Sequence, residues 1–398
     1  MFRFTLYILF LLTSLQCIQK NAKSLPESEI RLPFVVHMNN TLIQLSVNNA
    51  PEPVYFIFDT GSEITAIYKE YAQKIKIVFD KSNRVTGVTG SEDYPLSTKN
   101  NITLAPGVVI ENVELTQMNR GGYTSGEYEI QGIIGAAILK NYSVEINFDE
   151  NAVILRSFGS KLPEKYQYSL PITHMDDYFP RIQMSVVLAN RDTVSGSVYF
   201  DSGAQMAFLM NSKFAAQNEV LAKSDKYLQR NNHSVNETSY NYVVRANGLN
   251  FGKFDVAPFA MDISLSHTGV SAESGSMGLL GFEVIKRFNT VIDFSQNKMH
   301  YYPSQYFKTP MWFPVAGIIL EQKGQNVYIH QFVEEPADTE KLKPNDRIIS
   351  INGELVTSAE KAEYQLFSAP PESVFKLVIE RRGISQPFEV EFKVEPML

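Results

Sequence analysis

One pattern in this chain occurs twice, and it limits the fold more than any other feature. Val54-Tyr55-Phe56-Ile57-Phe58 runs into Asp59-Thr60-Gly61-Ser62, and Gly196-Ser197-Val198-Tyr199-Phe200 runs into Asp201-Ser202-Gly203-Ala204. A second pattern trails each copy. Gly132-Ile133-Ile134-Gly135 leads to Ile138-Leu139-Lys140 and Val144-Glu145-Ile146-Asn147-Phe148, while Gly278-Leu279-Leu280-Gly281 leads to Val284-Ile285-Lys286 and Thr290-Val291-Ile292-Asp293-Phe294. Asp59 and Gly135 are 76 positions apart, and Asp201 and Gly281 are 80 apart. Unrelated segments rarely agree at both ends with such similar separations, so the first three hundred or so residues read as two copies of one small domain. Leu32-Pro33 before His37-Met38 and Leu170-Pro171 before His174-Met175 extend the repeat upstream, and the two histidines read as one shared structural position.

Both copies read as mainly β. Val54–Phe58 and Val198–Phe200 are β-branched and aromatic runs that end at a turn. Ile102–Leu104, Val108–Ile110 and Val113–Leu115 read as short strands between turns. The best helical pattern spans Phe214 to Leu228, with Asn211 or Ser212 as its N-cap. The polar stretch from Arg156 to Tyr168, with Gly and Pro, suits a linker. The expected units are residues 30–156 and 169–304 for the two copies and 313–396 for a third unit that is not a copy of them.

The repeated Asp-Thr/Ser-Gly has a chemical reading. An apolar strand delivers each aspartate to the end of a sheet, the glycine lets another backbone come close, and its amide can bond the carboxylate. Two such loops facing each other bring two carboxylates together. Both cannot ionise at short range, so they share a proton. The ionised partner then takes a proton from a water between them and the protonated one polarises a carbonyl. No metal and no cofactor is needed.

These residues resemble the two-lobed, pepsin-like and retropepsin-like aspartic peptidases, of bacterial type, over roughly Leu32 to Pro303. The resemblance implies two homologous β-barrel-like lobes, catalytic Asp59 and Asp201, and a peptide or protein substrate. It also implies that Thr60 and Ser202 grip across the lobes, that Gly61 and Gly203 support the dyad, and that Ser62 bonds the outer oxygen of Asp59. Ala204 has no hydroxyl to do this for Asp201, so the two aspartates are not equivalent. Members of the family cover the cleft with a hairpin that often carries Tyr-Gly-Thr-Gly. Here Gly87-Val88-Thr89-Gly90 is the flap candidate, with glycine where the family places tyrosine.

After Tyr302-Pro303, strands are expected at Gly317–Leu320, Val327–Phe332, Arg347–Ile351, Phe375–Glu380 and Phe388–Phe392, with a helix over Ala359–Phe367 capped by Ser358. Gly317-Ile318-Ile319-Leu320 and Leu342-Lys343-Pro344-Asn345-Asp346-Arg347-Ile348 resemble an α+β PDZ domain. Asn345 replaces the usual glycine before the aspartate; asparagine tolerates a left-handed backbone. The resemblance implies a protein C-terminus added as a strand along Gly317–Leu320.

Arg3 followed by the apolar run Phe4–Leu12 reads as a secretory signal within residues 1–24, too short to cross a bilayer as a helix, which places the mature chain outside the cell or in the cell envelope. Cys17 is the only cysteine: it is either removed with the signal or lipidated as a membrane anchor, although Ser14-Leu15-Gln16 is a poor lipidation context. A net charge of −7 and the absence of long basic runs exclude nucleic acid as a partner. No Gly-x-Ser-x-Gly elbow and no His-Glu-x-x-His spacing occurs. The rival to a peptidase is a silent scaffold of the same fold, binding peptides through its cleft or PDZ groove; carboxylates splayed apart or blocked favour that rival.

Overall fold

The computed structural model describes residues 29–393 except 38, 89, 120–127, 174–177, 234–237, 310, 312–317, 333–340, 358, 360–361, 363–364 and 367–372. The signal segment, Cys17, Thr89, His174, Trp312, Gly317, Ser358 and Phe367 therefore lie outside the described residues.

The two halves meet in a six-stranded sheet, three strands from each. Ile30–Pro33 pairs with Ala152–Arg156, which pairs with Ser143–Asn147. Tyr168–Pro171 pairs with Lys298–Pro303, which pairs with Phe288–Asp293. Ser143–Asn147 and Phe288–Asp293 then join antiparallel at Val144↔Ile292, Glu145↔Val291 and Ile146↔Thr290. These joining strands are buried along their whole length, as continuous apolar runs with buried polar residues at intervals require.

Within the first half, Val54–Phe58 runs parallel to Ile130–Ile134, with Phe58 opposite Ile134, and Ile130–Ile134 is antiparallel to Thr65–Tyr68. The second half repeats this. Thr193–Phe200 runs parallel to Gly278–Leu280, with Phe200 opposite Leu280, and Gly278–Leu280 is antiparallel to Phe208–Met210. The glycines ending each apolar pair are required by packing. A Cβ on Gly135 would overlap the Asp59 carbonyl, and one on Gly281 would overlap the Met206 carbonyl.

Strand alternation separates two kinds of surface. Phe56, Phe58, Val198 and Phe200 point into the main core that the lobes share. Their neighbours Ile57 and Tyr199 point to the other face, into two small apolar clusters. Each aspartate lies two positions beyond the latter pair, so it shares their face.

Three local expectations are corrected. The segments 102–104, 108–110 and 113–115 are parts of two long strands, Ser91–Ala105 and Val108–Met118, whose pairing shifts register three times. Bulges, not turns, absorb the polar interruptions. The helix expected over 214–228 is only Ser212–Gln217; Asn218 closes it and Glu219 turns left-handed at φ 54°. Asn211 precedes that helix but makes no side-chain capping bond; its side-chain Nδ2 donates to the Ser276 and Glu273 carbonyls.

The third unit has its own sheet, in the order Ile318–Lys323, Asn326–Phe332, Arg347–Ile351, Val374–Glu380 and Phe388–Lys393. Its core, including Ile318, Val327, Ile329, Ile348, Leu366 and Leu377, shares no residue with the core of the lobes. Asn345 sits at φ 68°, the left-handed conformation a glycine would otherwise supply. It precedes Asp346, which is 1% exposed and holds the turn by accepting from the Lys343 amide and from Nε and Nη2 of Arg381, each at 2.7 Å. Residues 359, 362, 365 and 366 are helical. Ile318–Lys323 is an edge strand, paired among the described residues on one side only.

Candidate functional site

The two Asp-loops face each other as near-copies. The Asp59 amide donates to the Ile134 carbonyl and the Asp201 amide to the Leu280 carbonyl, both at 3.0 Å, which ties each loop to the apolar pair behind it. The Ala136 amide donates to the Ser62 carbonyl at 2.9 Å, and the Phe282 amide to the Ala204 carbonyl at 2.7 Å. The local chain has little choice: the apolar strand ends, the glycine-bearing turn follows, and the crossing segment fixes it from below.

Four hydrogen bonds then lock one loop to the other. Thr60 Oγ1 donates to the Phe200 carbonyl at 2.7 Å and accepts from the Ser202 amide at 3.0 Å. Ser202 Oγ donates to the Phe58 carbonyl at 2.9 Å and accepts from the Thr60 amide at 3.0 Å. Both hydroxyl residues are fully buried, so these bonds face no competition from water.

This grip forces the carboxylates into contact. A hydrogen bond links Asp59 and Asp201. Gly61 backs directly onto the Asp201 carboxylate and Gly203 onto that of Asp59, so closely that a Cβ on either would overlap it. The Gly61 amide donates to Asp59 Oδ1 at 2.8 Å; the Gly203 and Ala204 amides donate to Asp201 Oδ1 at 3.0 and 3.1 Å. Burial pushes the Asp59 carboxyl above its usual range, with the Gly61 amide pulling the other way. Asp201 is pushed well above it, first by burial, then by the charge of Asp59 and the hydrogen bond it gives to Asp59. The two carboxyls therefore titrate as one coupled pair, with Asp201 pushed up further than Asp59.

Ser62 departs from the expectation drawn from resemblance. Its Oγ donates to the Ile64 carbonyl at 2.9 Å, two residues along its own turn. The inequivalence of the aspartates thus comes from their different amide donors and from the stronger upward push on Asp201.

The flap candidate lies on the turn between Lys81–Thr86 and Ser91–Ala105, closed by the Gly87 amide donating to the Gly90 carbonyl at 2.7 Å. The turn reaches across to the second half. The Val270 amide donates to the Gly87 carbonyl at 3.2 Å, and the Ser271 amide and Oγ donate to the Val88 carbonyl at 3.1 and 2.8 Å.

Sequence reasoning missed the two apolar clusters that share a sheet face with the aspartates. Ile57, Tyr68, Met118 and Ile130 form the core of the cluster on the Asp59 face, bordered by Val85, Tyr94, Tyr128 and Ile133. Phe179, Tyr199, Leu209 and Leu279 form the cluster on the Asp201 face. Alternation counted back from each aspartate would have found Ile57 and Tyr199; no local signal marks the rest. Near the second loop, Asn39 Nδ2 donates to the Gln205 carbonyl at 3.2 Å, a further strut between the halves.

Residues 43–138, which include Asp59 and Gly135, match the family described as aspartyl protease. Residues 315–380 match the PDZ domain. No curated protein sequence matches the chain. Among solved structures it is similar to an aspartic proteinase from Irpex lacteus, at 14% identity and a TM-score of 0.45, over 71% of this chain and 99% of that one. The chain thus carries an aspartyl-protease-like domain and a PDZ domain. No helix among the described residues is long and apolar enough to cross a membrane.

Proposed function

We propose that this chain is an exported aspartic endopeptidase that cleaves peptide bonds with Asp59 and Asp201, and that its PDZ domain engages a protein C-terminus. The observation that carries the reading is the contact between two carboxylates, each backed by the glycine of the opposite loop. Carboxylates in contact can flank one water, which favours a peptidase over a silent scaffold of the same fold.

In the mechanism, ionised Asp59 takes a proton from the water as its oxygen attacks the scissile carbonyl carbon. Protonated Asp201 gives its proton to the carbonyl oxygen, so a neutral tetrahedral diol forms and the charge passes to Asp201. Collapse returns one hydroxyl proton to Asp201, while the proton held by Asp59 goes to the departing nitrogen and the C–N bond breaks. The dyad ends as it began, with an acid and an amine released. The Gly61, Gly203 and Ala204 amides hold the carboxylates so that little reorganisation is needed.

The test compares the purified chain with Asp201→Asn on a mixed peptide library between about pH 3 and 8. Complete loss of cleavage in the variant is expected. Cleavage that survives would overturn the assignment. For the PDZ domain, the edge position of Ile318–Lys323 in the sheet of the described residues supports strand addition, read by titrating peptides with free and amidated C-termini. Sequencing the N-terminus of the chain recovered from its producing cell tests export, and lipid analysis of Cys17 tests the anchor.

A further inference from the structure

The contact between the Gly87–Gly90 turn and the second lobe is built in more detail than a passive lid requires. Gly269 stands at φ 74°, and a Cβ there would come within 2.5 Å of the Val88 carbonyl and 2.7 Å of the Gly87 carbonyl and Gly90 amide. The backbone of 269–271 is thus shaped to receive the turn, and three hydrogen bonds from Val270 and Ser271 hold it there. Ser271 is fully buried, and its Oγ also accepts from Ser264 Oγ at 3.0 Å. The receiving segment is itself braced. Tyr199 OH donates to Glu273 Oε2 at 2.7 Å, and the Arg181 guanidinium lies 4.6 Å from the Tyr199 ring centre.

The side chain at the tip is as informative as the backbone. Val88 packs, with Met206 and Val270, against the cluster of Phe179, Tyr199, Leu209 and Leu279. That cluster lies on the sheet face that carries Asp201. Its member Tyr199 lies two positions before Asp201 on the same strand run.

We propose that Val88 is a built-in competitor. It occupies the apolar pocket that an apolar side chain of the substrate must enter on the Asp201 side of the dyad, and the Gly269–Ser271 segment latches it there until such a side chain displaces it. The proposal rests on the reading of the cleft as a peptide site. If the closed, self-filled state dominates, measured affinity is reduced by the fraction of molecules that are open. Weakening the latch therefore tightens binding without touching the dyad, whereas an ordinary structural lesion weakens it.

The experiment uses the full chain, its Val88→Ser variant and its Gly269→Ala variant. The first readout is amide hydrogen exchange over residues 265–275 and 82–96. The second is the affinity, by calorimetry, for an apolar peptide whose central amide is replaced by a non-hydrolysable hydroxyethylene group. Val88→Ser is expected to speed exchange at the Val270 and Ser271 amides about tenfold and to lower Kd about three- to tenfold. Gly269→Ala is expected to release the turn in the same way, which guards against a solubility effect peculiar to serine. Unchanged exchange in both variants overturns the latch. Faster exchange with a raised Kd overturns the competitor and makes Val88 an ordinary contact for the substrate. If none of the proteins binds the peptide while exchange quickens as expected, the latch stands as a contact, and both the competitor and the peptide-site reading fall. If all bind as expected but none cleaves any peptide, the competitor stands and the peptidase reading fails.

Discussion

Thr60→Val removes the hydroxyl of the grip while keeping the shape of the side chain, and the structure fixes what that costs. The Phe200 carbonyl loses the donor now at 2.7 Å, and the Ser202 amide loses the acceptor now at 3.0 Å. Both positions are sealed from water, since Thr60, Phe200 and Ser202 are 0% exposed. A buried polar group left without a partner costs about 1–3 kcal/mol. With two such groups and no solvent to replace the hydroxyl, the lobes should lose about 2–6 kcal/mol of unfolding free energy. Thr60→Ser keeps both bonds and loses one methyl, for about 1 kcal/mol. The assay is urea unfolding with the PDZ-like unit as internal reference, because its core is separate from that of the lobes. The transition of the lobes should move to lower urea in Thr60→Val while that of the PDZ-like unit stays in place. A Thr60→Val protein within about 0.5 kcal/mol of the parent would refute the reasoning, because the grip would then be exchangeable for water or for nothing. Pairing it with Ser202→Ala in a double-mutant cycle should give a coupling of about 0.5–3 kcal/mol, since both hydroxyls serve one interlocked set of four bonds.

Other consequences are equally direct. Asp201 carries a pKa raised by burial and by Asp59, so the folded state binds its proton more tightly than the unfolded chain does, and stability falls as pH rises from about the ordinary value of 3.8 upward. Asp201→Asn should therefore be more stable than the parent at pH 7, and the difference should vanish below about pH 4, as read by urea melts across pH. Peptide cleavage should fall along an alkaline limb that begins above the usual carboxylate range, because the proposed dyad works only while it keeps its shared proton. Gly203→Ala should lower kcat at least about a hundredfold while the chain still folds, as the methyl displaces Asp59, against which Gly203 packs. Asp346→Ala should destabilise the PDZ-like unit by about 2–3 kcal/mol and leave the melting of the lobes unchanged, since it strips partners from the Lys343 amide and from Arg381.

What the sequence makes legible here is what is local. Asp59-Thr60-Gly61 and Ile133-Ile134-Gly135 are short strings whose residue types answer to one loop and one crossing, and the second copies repeat those needs. Asn345 before Asp346 is legible for the same reason, as a turn needing a left-handed residue. The joining of Ser143–Asn147 to Phe288–Asp293 is not legible, although both strands are, because nothing in either run encodes its neighbour from the other half. The long helix expected after Asn211 fails because its apolar residues were counted across Asn218 and Glu219, where the chain turns left-handed and enters the core at Val220. The resemblance puts Ser62 on Asp59, and a bond inside its own turn takes the hydroxyl instead. The docking of Val88 on the second lobe is out of reach of any local rule, because 182 positions separate it from Val270 in the chain.

Two-fold repetition and the proposed two-step proton transfer make opposite demands, and small differences between the loops answer them. A symmetric grip is the simplest way to bring two like charges together, since each loop supplies the restraint the other needs. Chemistry requires that the two carboxyls then differ. The loops differ little in their donors: Gly61 alone caps Asp59 from within its own loop, while Gly203 and Ala204 serve Asp201. The larger break in symmetry is the turn at Gly87–Gly90, which belongs to one lobe and lands on the other against the cluster that contains Tyr199. If Val88 keeps water from Asp201, that carboxyl holds its proton harder, and loosening the turn by Val88→Ser should lower the pH at which the alkaline limb of cleavage begins.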